Sequence, residues 1–124
     1  MGKKTKGQIE AQISESLIKF EKEYMGRGPM ETRTFIVQDM VLVRLKGVLT
    51  PAEEQLSKSE EGAKLIKQTR KQLLENGKAL MEKMIMDITG CQVVSLHSDI
   101  STRTGERIIL FVVDGDLEGQ LSGN

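Results

Sequence analysis

His97 is the one histidine of the chain, and it sits in Ser95-Leu96-His97-Ser98-Asp99, where a hydroxyl, an imidazole and a carboxylate recur at alternate positions. Those are the residue types of a nucleophile, a general base and the group that orients the base. On a β-strand the alternation puts all three on one face, but same-face neighbours lie about 7 Å apart, too far for the direct hydrogen bonds of a triad. What remains open to catalysis is general-base work by His97 with Asp99 or Ser98 in support, so the balance leans away from an enzyme. One histidine and one cysteine, Cys91, cannot build a multi-histidine or thiolate metal centre. Neither a metal nor a cofactor is expected. No base lies near Cys91 in sequence to activate its thiol, which reads as structural.

Arginine offers a second chemistry. Across the tightest turn of the first hairpin, Arg33 faces Arg44, a like-charge pair that destabilises a sheet unless an anion or a carboxylate sits between the guanidinium groups. Arg103 and Arg107 flank the second hairpin loop. Either these four diverge or they flank a small-anion site, in which case the chain is an anion sensor. Arg27, between Gly26 and Gly28, belongs first of all to a chain reversal ended by Pro29.

Charge and composition bound the partners. Eighteen basic residues balance eighteen acidic ones over 124 positions, so the net field that draws nucleic-acid binders to phosphate is missing. No nucleic-acid partner is expected. No run approaches the roughly 20 apolar residues of a membrane span, and the basic start Met1-Gly2-Lys3-Lys4-Thr5-Lys6 lacks the apolar stretch of a signal peptide. With a single thiol, the reading is a cytoplasmic protein with no direct membrane insertion. The ends carry opposite charge, Lys3, Lys4 and Lys6 against Asp114, Asp116 and Glu118, and read as solvated tails.

The elements that must position these residues follow from periodicity. Ile9, Ile13, Leu17, Phe20 and Tyr24 share one face of an N-terminal helix. Segments 33–37 and 40–45, rich in branched residues, read as a β-hairpin turning on Gln38-Asp39, a pair not favoured in two-residue turns. Thr50-Pro51-Ala52-Glu53 starts a helix with a cap and a proline at its first position, and Ser59-Glu60-Glu61 restarts it. Ile66, Leu73 and Leu80, with Leu74, Met81 and Ile88, form a broad apolar stripe that Gly90 closes. Residues 92–100 and 106–113 make a second hairpin. The fold class is α+β in the order α-ββ-α-ββ: a four-stranded, mainly antiparallel sheet from two β-hairpins, with one long helix packed on it and an N-terminal helix. Residues 1–114 form a single domain, and 115–124 a flexible C-terminal tail.

If the second loop closes symmetrically, Asp99 faces Arg107 and the side chains sort by face. Val94, Leu96, Ile100, Ile108, Leu110 and Val112 then meet the long helix, and Ile109, Phe111 and Val113 are left on the other side beside Ser95, His97 and Asp99. Three large apolar side chains on one strand make a contact surface. Ile109, Phe111 and Val113 are therefore expected at an interface, covered either by the first helix or, as the favoured reading, by a second copy in a homodimer.

Three phrases carry a family resemblance: Tyr24-Met25-Gly26-Arg27-Gly28-Pro29, the stretch 43–53 (VRLKGVLTPAE) and the stretch 95–107 (SLHSDISTRTGER). Over about residues 6–114 the chain resembles the MpsC-like family of small bacterial proteins. The resemblance implies an accessory protein of a Na+-translocating, membrane-potential-generating or inorganic-carbon uptake system, and it brings no catalytic residues to carry over. Together these readings rank a cytosolic accessory or regulatory protein acting by protein contact first, a small-anion sensor using Arg33, Arg44, Arg103 and Arg107 second, and an enzyme with His97 as general base third.

Overall fold

The computed structural model describes residues 4–122, and its main elements come in the expected order. Helix α1 spans Lys6–Tyr24. Strands β1, Glu31–Val37, and β2, Met40–Lys46, form the first hairpin. Helices α2, Pro51–Leu56, and α3, Glu60–Thr89, follow. Strands β3, Val93–Ile100, and β4, Arg107–Val113, form the second hairpin, and α4 spans Leu117–Ser122.

Local chemistry sets the helix ends. Thr5 with Gln8, and Thr50 with Glu53, make reciprocal capping boxes, each satisfying two backbone donors that have no partner within the helix. Ser59 accepts from the Gly62 N–H and so restarts the helix as α3. Gly90 ends it in the left-handed conformation, at φ 77°.

The two hairpins join through β2 and β4 into one antiparallel sheet of order β1-β2-β4-β3. α1 lies over β1, and α3 lies over β3 and against α1. Both helices cover the same face. There Ile13, Leu17 and Phe20 of α1 and Ile66, Leu74, Met81 and Ile85 of α3 meet Val41, Val43, Leu45, Ile109 and Phe111 of the central strands. A hydrogen bond of 2.7 Å between the Ser14 and Thr34 hydroxyls ties α1 to β1.

The structure corrects the sorting of β4. Ile100, not Asp99, pairs with Arg107, so the closing loop runs over residues 101–106 and is longer than the symmetric one, 101–105, by a residue on the β4 side. A one-residue slip moves every side chain of a strand to the opposite face. Ile109, Phe111 and Val113, expected at an interface, are interior residues at 0%, 0% and 3% exposure, covered by the chain's own helices. The register that buries Phe111 also turns Arg107 inward, where Glu21 receives it. Ile108, Leu110 and Val112 take the outer face instead.

The C-terminal segment needs a second correction. Residues 117–122 are not a loose tail: α4 buries Leu117, and Glu118 accepts from Lys6 Nζ at 2.8 Å and from the Gln38 N–H at 2.9 Å. The oppositely charged ends therefore meet, although Lys3 lies outside the described residues. This contact also supports the first turn, where Gln38 holds φ 56°, a conformation that costs a residue with a β-carbon. The Glu118 N–H donates back to the Gln38 carbonyl at 3.0 Å.

The sheet's two outer edges are treated differently. On β1 the Ile36 N–H donates to Glu10 Oε2 of α1 at 2.8 Å. On β3 a bulge between Val93 and Ser95 breaks the ladder, and the Ile100 N–H donates to Asp99 Oδ1 at 2.8 Å. Side chains thus occupy backbone donors that another strand would need.

Candidate functional site

The face of the sheet turned away from the helices can be read row by row from the pairing. Val37 lies beside Met40, Met40 beside Val112, and Val112 beside Ser95. The next row is Phe35, Leu42, Leu110 and His97, and the one after it Arg33, Arg44, Ile108 and Asp99. A half-solvated antiparallel sheet ordinarily alternates apolar-in with polar-out. Here the first two rows are apolar across β1, β2 and β4. Phe35 and Val37 are 42% and 45% exposed, and Met40, Leu42, Ile108, Leu110 and Val112 are half-buried only by one another. No described element lies over this face, and a contiguous apolar surface of this breadth marks a contact site.

Charge frames it. Arg33 and Arg44 are cross-strand neighbours, and the carboxylate that such a pair needs is supplied from within: Glu106 Oε2 accepts from Arg44 Nε at 2.5 Å. Arg33 is well exposed, with Glu31 4.0 Å away. Lys46 Nζ lies 3.8 Å from the same Glu31. At the far side Asp99 is exposed on the edge strand, 3.5 Å from Lys67 Nζ.

A buried ionic cluster lies on the helix side of the sheet. Arg107 Nη1 donates to Glu21 Oε2 at 2.9 Å, and Arg70 donates to both oxygens of Glu53, at 2.8 and 2.7 Å, and to the Val48 carbonyl at 2.8 Å. Arg70 Nη1 and Glu21 Oε1 approach to 3.5 Å without a hydrogen bond. Burial lifts the Glu21 carboxyl above its ordinary range, opposed by the Arg107 and Arg70 guanidinium groups. Burial lowers Arg107, with Glu21 opposing. For Glu53 burial pushes upward, but the hydrogen bonds from Arg70 and Thr50 outweigh it and hold the carboxyl low. These four side chains tie α1, α2, α3 and β4 together.

Beside the cluster, an open groove of about 510 Å³ runs between α3 and β3, with Lys67, Lys71, Leu96 and Ser98 among its lining and Arg70 and Arg107 at its base. Both arginines are already matched by Glu21 and Glu53, so neither offers a small anion a free guanidinium.

The four arginines proposed for one anion site are not brought together. Arg33 and Arg44 share the open face, Arg107 is 2% exposed on the opposite face, and Arg103 stands in the β3–β4 loop. His97 and Asp99 lie two residues apart on the open face of the edge strand, both exposed, and Ser98 points to the other side. Cys91 is buried, and burial pushes its thiol up, against a hydrogen bond from Thr89. Among the described residues no group of three metal-ligating side chains occurs, and no helix is long and apolar enough to cross a membrane.

Sequence reasoning passed over Glu21, Arg70 and Glu53 as partners. Two of them left a signal. Glu21 follows Leu17 by four residues, and Arg70 follows Ile66 and precedes Leu74 by four, so each is a charged residue on a stripe that otherwise faces the core. A charge at such a place needs a buried counter-charge.

Comparison with known proteins bears on what such a molecule does. A family model described as "Na+-translocating membrane potential-generating system (MpsC)" matches residues 5–115. The chain is 49% identical over 119 residues to the uncharacterized protein YbcI of Bacillus subtilis (strain 168), covering 96% of each chain. It is 27% identical over 111 residues to the uncharacterized protein YrhF of the same organism, covering 88% of this chain and 90% of the relative. No solved structure matches it.

Proposed function

Because this chain belongs to the MpsC family and carries a broad apolar sheet face without cover of its own, we propose that it is a cytoplasmic, non-enzymatic accessory protein that acts through protein contacts on that face. The family's description supplies the setting, a Na+-translocating membrane potential-generating system, in which this chain would serve beside the membrane rather than in it. The observation that carries the reading is the run of Phe35, Val37, Met40, Leu42, Ile108, Leu110 and Val112 across three adjacent strands. Leaving such a surface in water costs roughly 25 cal/mol for every Å² of apolar area, so a partner that covers it gains several kcal/mol. Self-association into a homodimer is the first contact this face favours, and a component of the membrane system is the second.

The test is a photo-reactive amino acid in place of Phe35, in cells that carry the native system, with Lys78 on the exposed side of α3 as the control position. The expected result is an adduct from position 35 whose partner, identified by mass, is either a second copy or a membrane component. Labelling at position 35 no stronger than at 78 would overturn the reading.

A further inference from the structure

The charges that frame the apolar face decide how a second copy would sit on it. Resting on the contact-face reading above, we infer that two copies pack their open faces together about a two-fold axis parallel to the strands and lying between β2 and β4.

Two orientations are symmetric for stacked sheets. An axis across the strands keeps each strand over its own equivalent and reverses the rows, which sets the guanidinium of Arg33 on Val37 and that of Arg44 on Met40 of the other copy. Charged heads would then lie on apolar partners, at a desolvation cost that nothing repays. An axis along the strands keeps the rows and reverses the strand order, placing β1 over β3 and β2 over β4 of the other copy. In the paired register Arg33 then faces Asp99, and Leu42 faces Leu110. One step beyond, Lys46 meets Glu106, whose side chain the bond to Arg44 holds on this face. Opposite charges meet at the ends of the row, apolar side chains meet at its centre, and each contact occurs twice.

The exposed charges suit this arrangement. Arg33 and Asp99 stay well exposed despite their contacts with Glu31 and Lys67, and they stand at the two ends of one row, three strands apart, too far to pair with each other within a chain. The area is also of the right order. Four strands at about 4.8 Å and seven residues at about 3.3 Å cover roughly 19 by 23 Å on each copy. Two such faces come to roughly 870 Å² of flat area, to which side-chain relief adds, toward the roughly 1,200 Å² at which specific interfaces begin.

The experiment is sedimentation of the purified full chain at about 100 µM, with Arg33→Asp and Asp99→Arg made separately, each checked by circular dichroism for an unchanged fold. The wild type is expected to be a dimer. Each single variant puts like charges together twice and should dissociate at least about tenfold more readily. Mixing the two variants pairs Asp at 33 with Arg at 99 in one contact and the native charges in the other, so the mixture should regain the dimer. A monomeric wild type would overturn the inference, and an adduct from Phe35 to another protein would still leave the contact-face reading standing. A dimer that survives Leu110→Glu, or singly charged variants that fail to recover on mixing, would overturn the face or the axis respectively.

Discussion

Gly77 of α3 lies directly against the ring of Phe20 of α1: a β-carbon at residue 77 would stand 2.6 Å from both Cε1 and Cζ. The ring cannot swing aside cheaply, because it is buried and stacked on Tyr24 at 4.8 Å between centroids. Gly77→Ala gains up to about 1 kcal/mol of helix propensity but forces the two helices apart, at about 1–3 kcal/mol. The expected outcome is a net loss of about 1–2 kcal/mol in urea denaturation. A variant more stable than wild type would show that the two helices do not meet there.

Glu21 is fully buried with Arg107 and Arg70 around it. Glu21→Gln keeps the shape, removes the charge, and leaves Arg107 in the interior without its counter-ion. Breaking a buried pair from one side costs about 3–5 kcal/mol. Chemical denaturation should show a loss of that order, while Glu15→Gln on the exposed side of α1 should stay within about 0.5 kcal/mol.

Glu53 gives a pH signature. Its folded carboxyl is held below the ordinary value of 4.5, so it favours the folded state above that pH, and the contribution fades as pH falls through the depressed folded value. The stability gap between wild type and Glu53→Gln should therefore be full at neutral pH and narrow progressively below about 4.5. A gap that widens in acid would contradict the Arg70 contact. Glu21, shifted upward, works in the opposite direction, which is why the difference between two chains is the quantity to follow rather than the acid limb of either.

Gln38 holds a left-handed φ at the tip of the first hairpin. Gln38→Gly removes the conflict between its β-carbon and the backbone and should raise stability by about 0.5–1 kcal/mol, a few degrees in melting temperature. Glu118→Ala, which withdraws the acceptor from the Gln38 N–H, should move the melting temperature down.

Much of the fold was legible because each element announces itself locally. The stripe of Ile9, Ile13, Leu17 and Phe20, the Thr50-Pro51 cap and the left-handed Gly90 all depend on neighbours within a turn or two of chain. What escaped depends on contacts distant in sequence. Whether Ile108 or Ile109 faces the helices turns on a single residue in a loop, and both strand faces are apolar enough to permit either choice. In the observed register Arg107 reaches Glu21, 86 positions away, a contact that no local pattern announces. α4 was missed for a similar reason: six residues have little helical preference alone, and Leu117 and Glu118 find their partners on α1 and the first hairpin. Of the candidate site, the need for an apolar contact face was readable and its membership was not.

The treatment of the two sheet edges limits what an exposed apolar surface can lead to. Because Glu10 occupies the Ile36 N–H on one flank, and on the other a bulge bends β3 and Asp99 holds the Ile100 N–H, strands from further molecules find no straight ladder to join. Sideways addition of a strand is thereby disfavoured at both margins. Apolar contact is left to the flat of the sheet, a surface of fixed extent with no repeating edge to extend it.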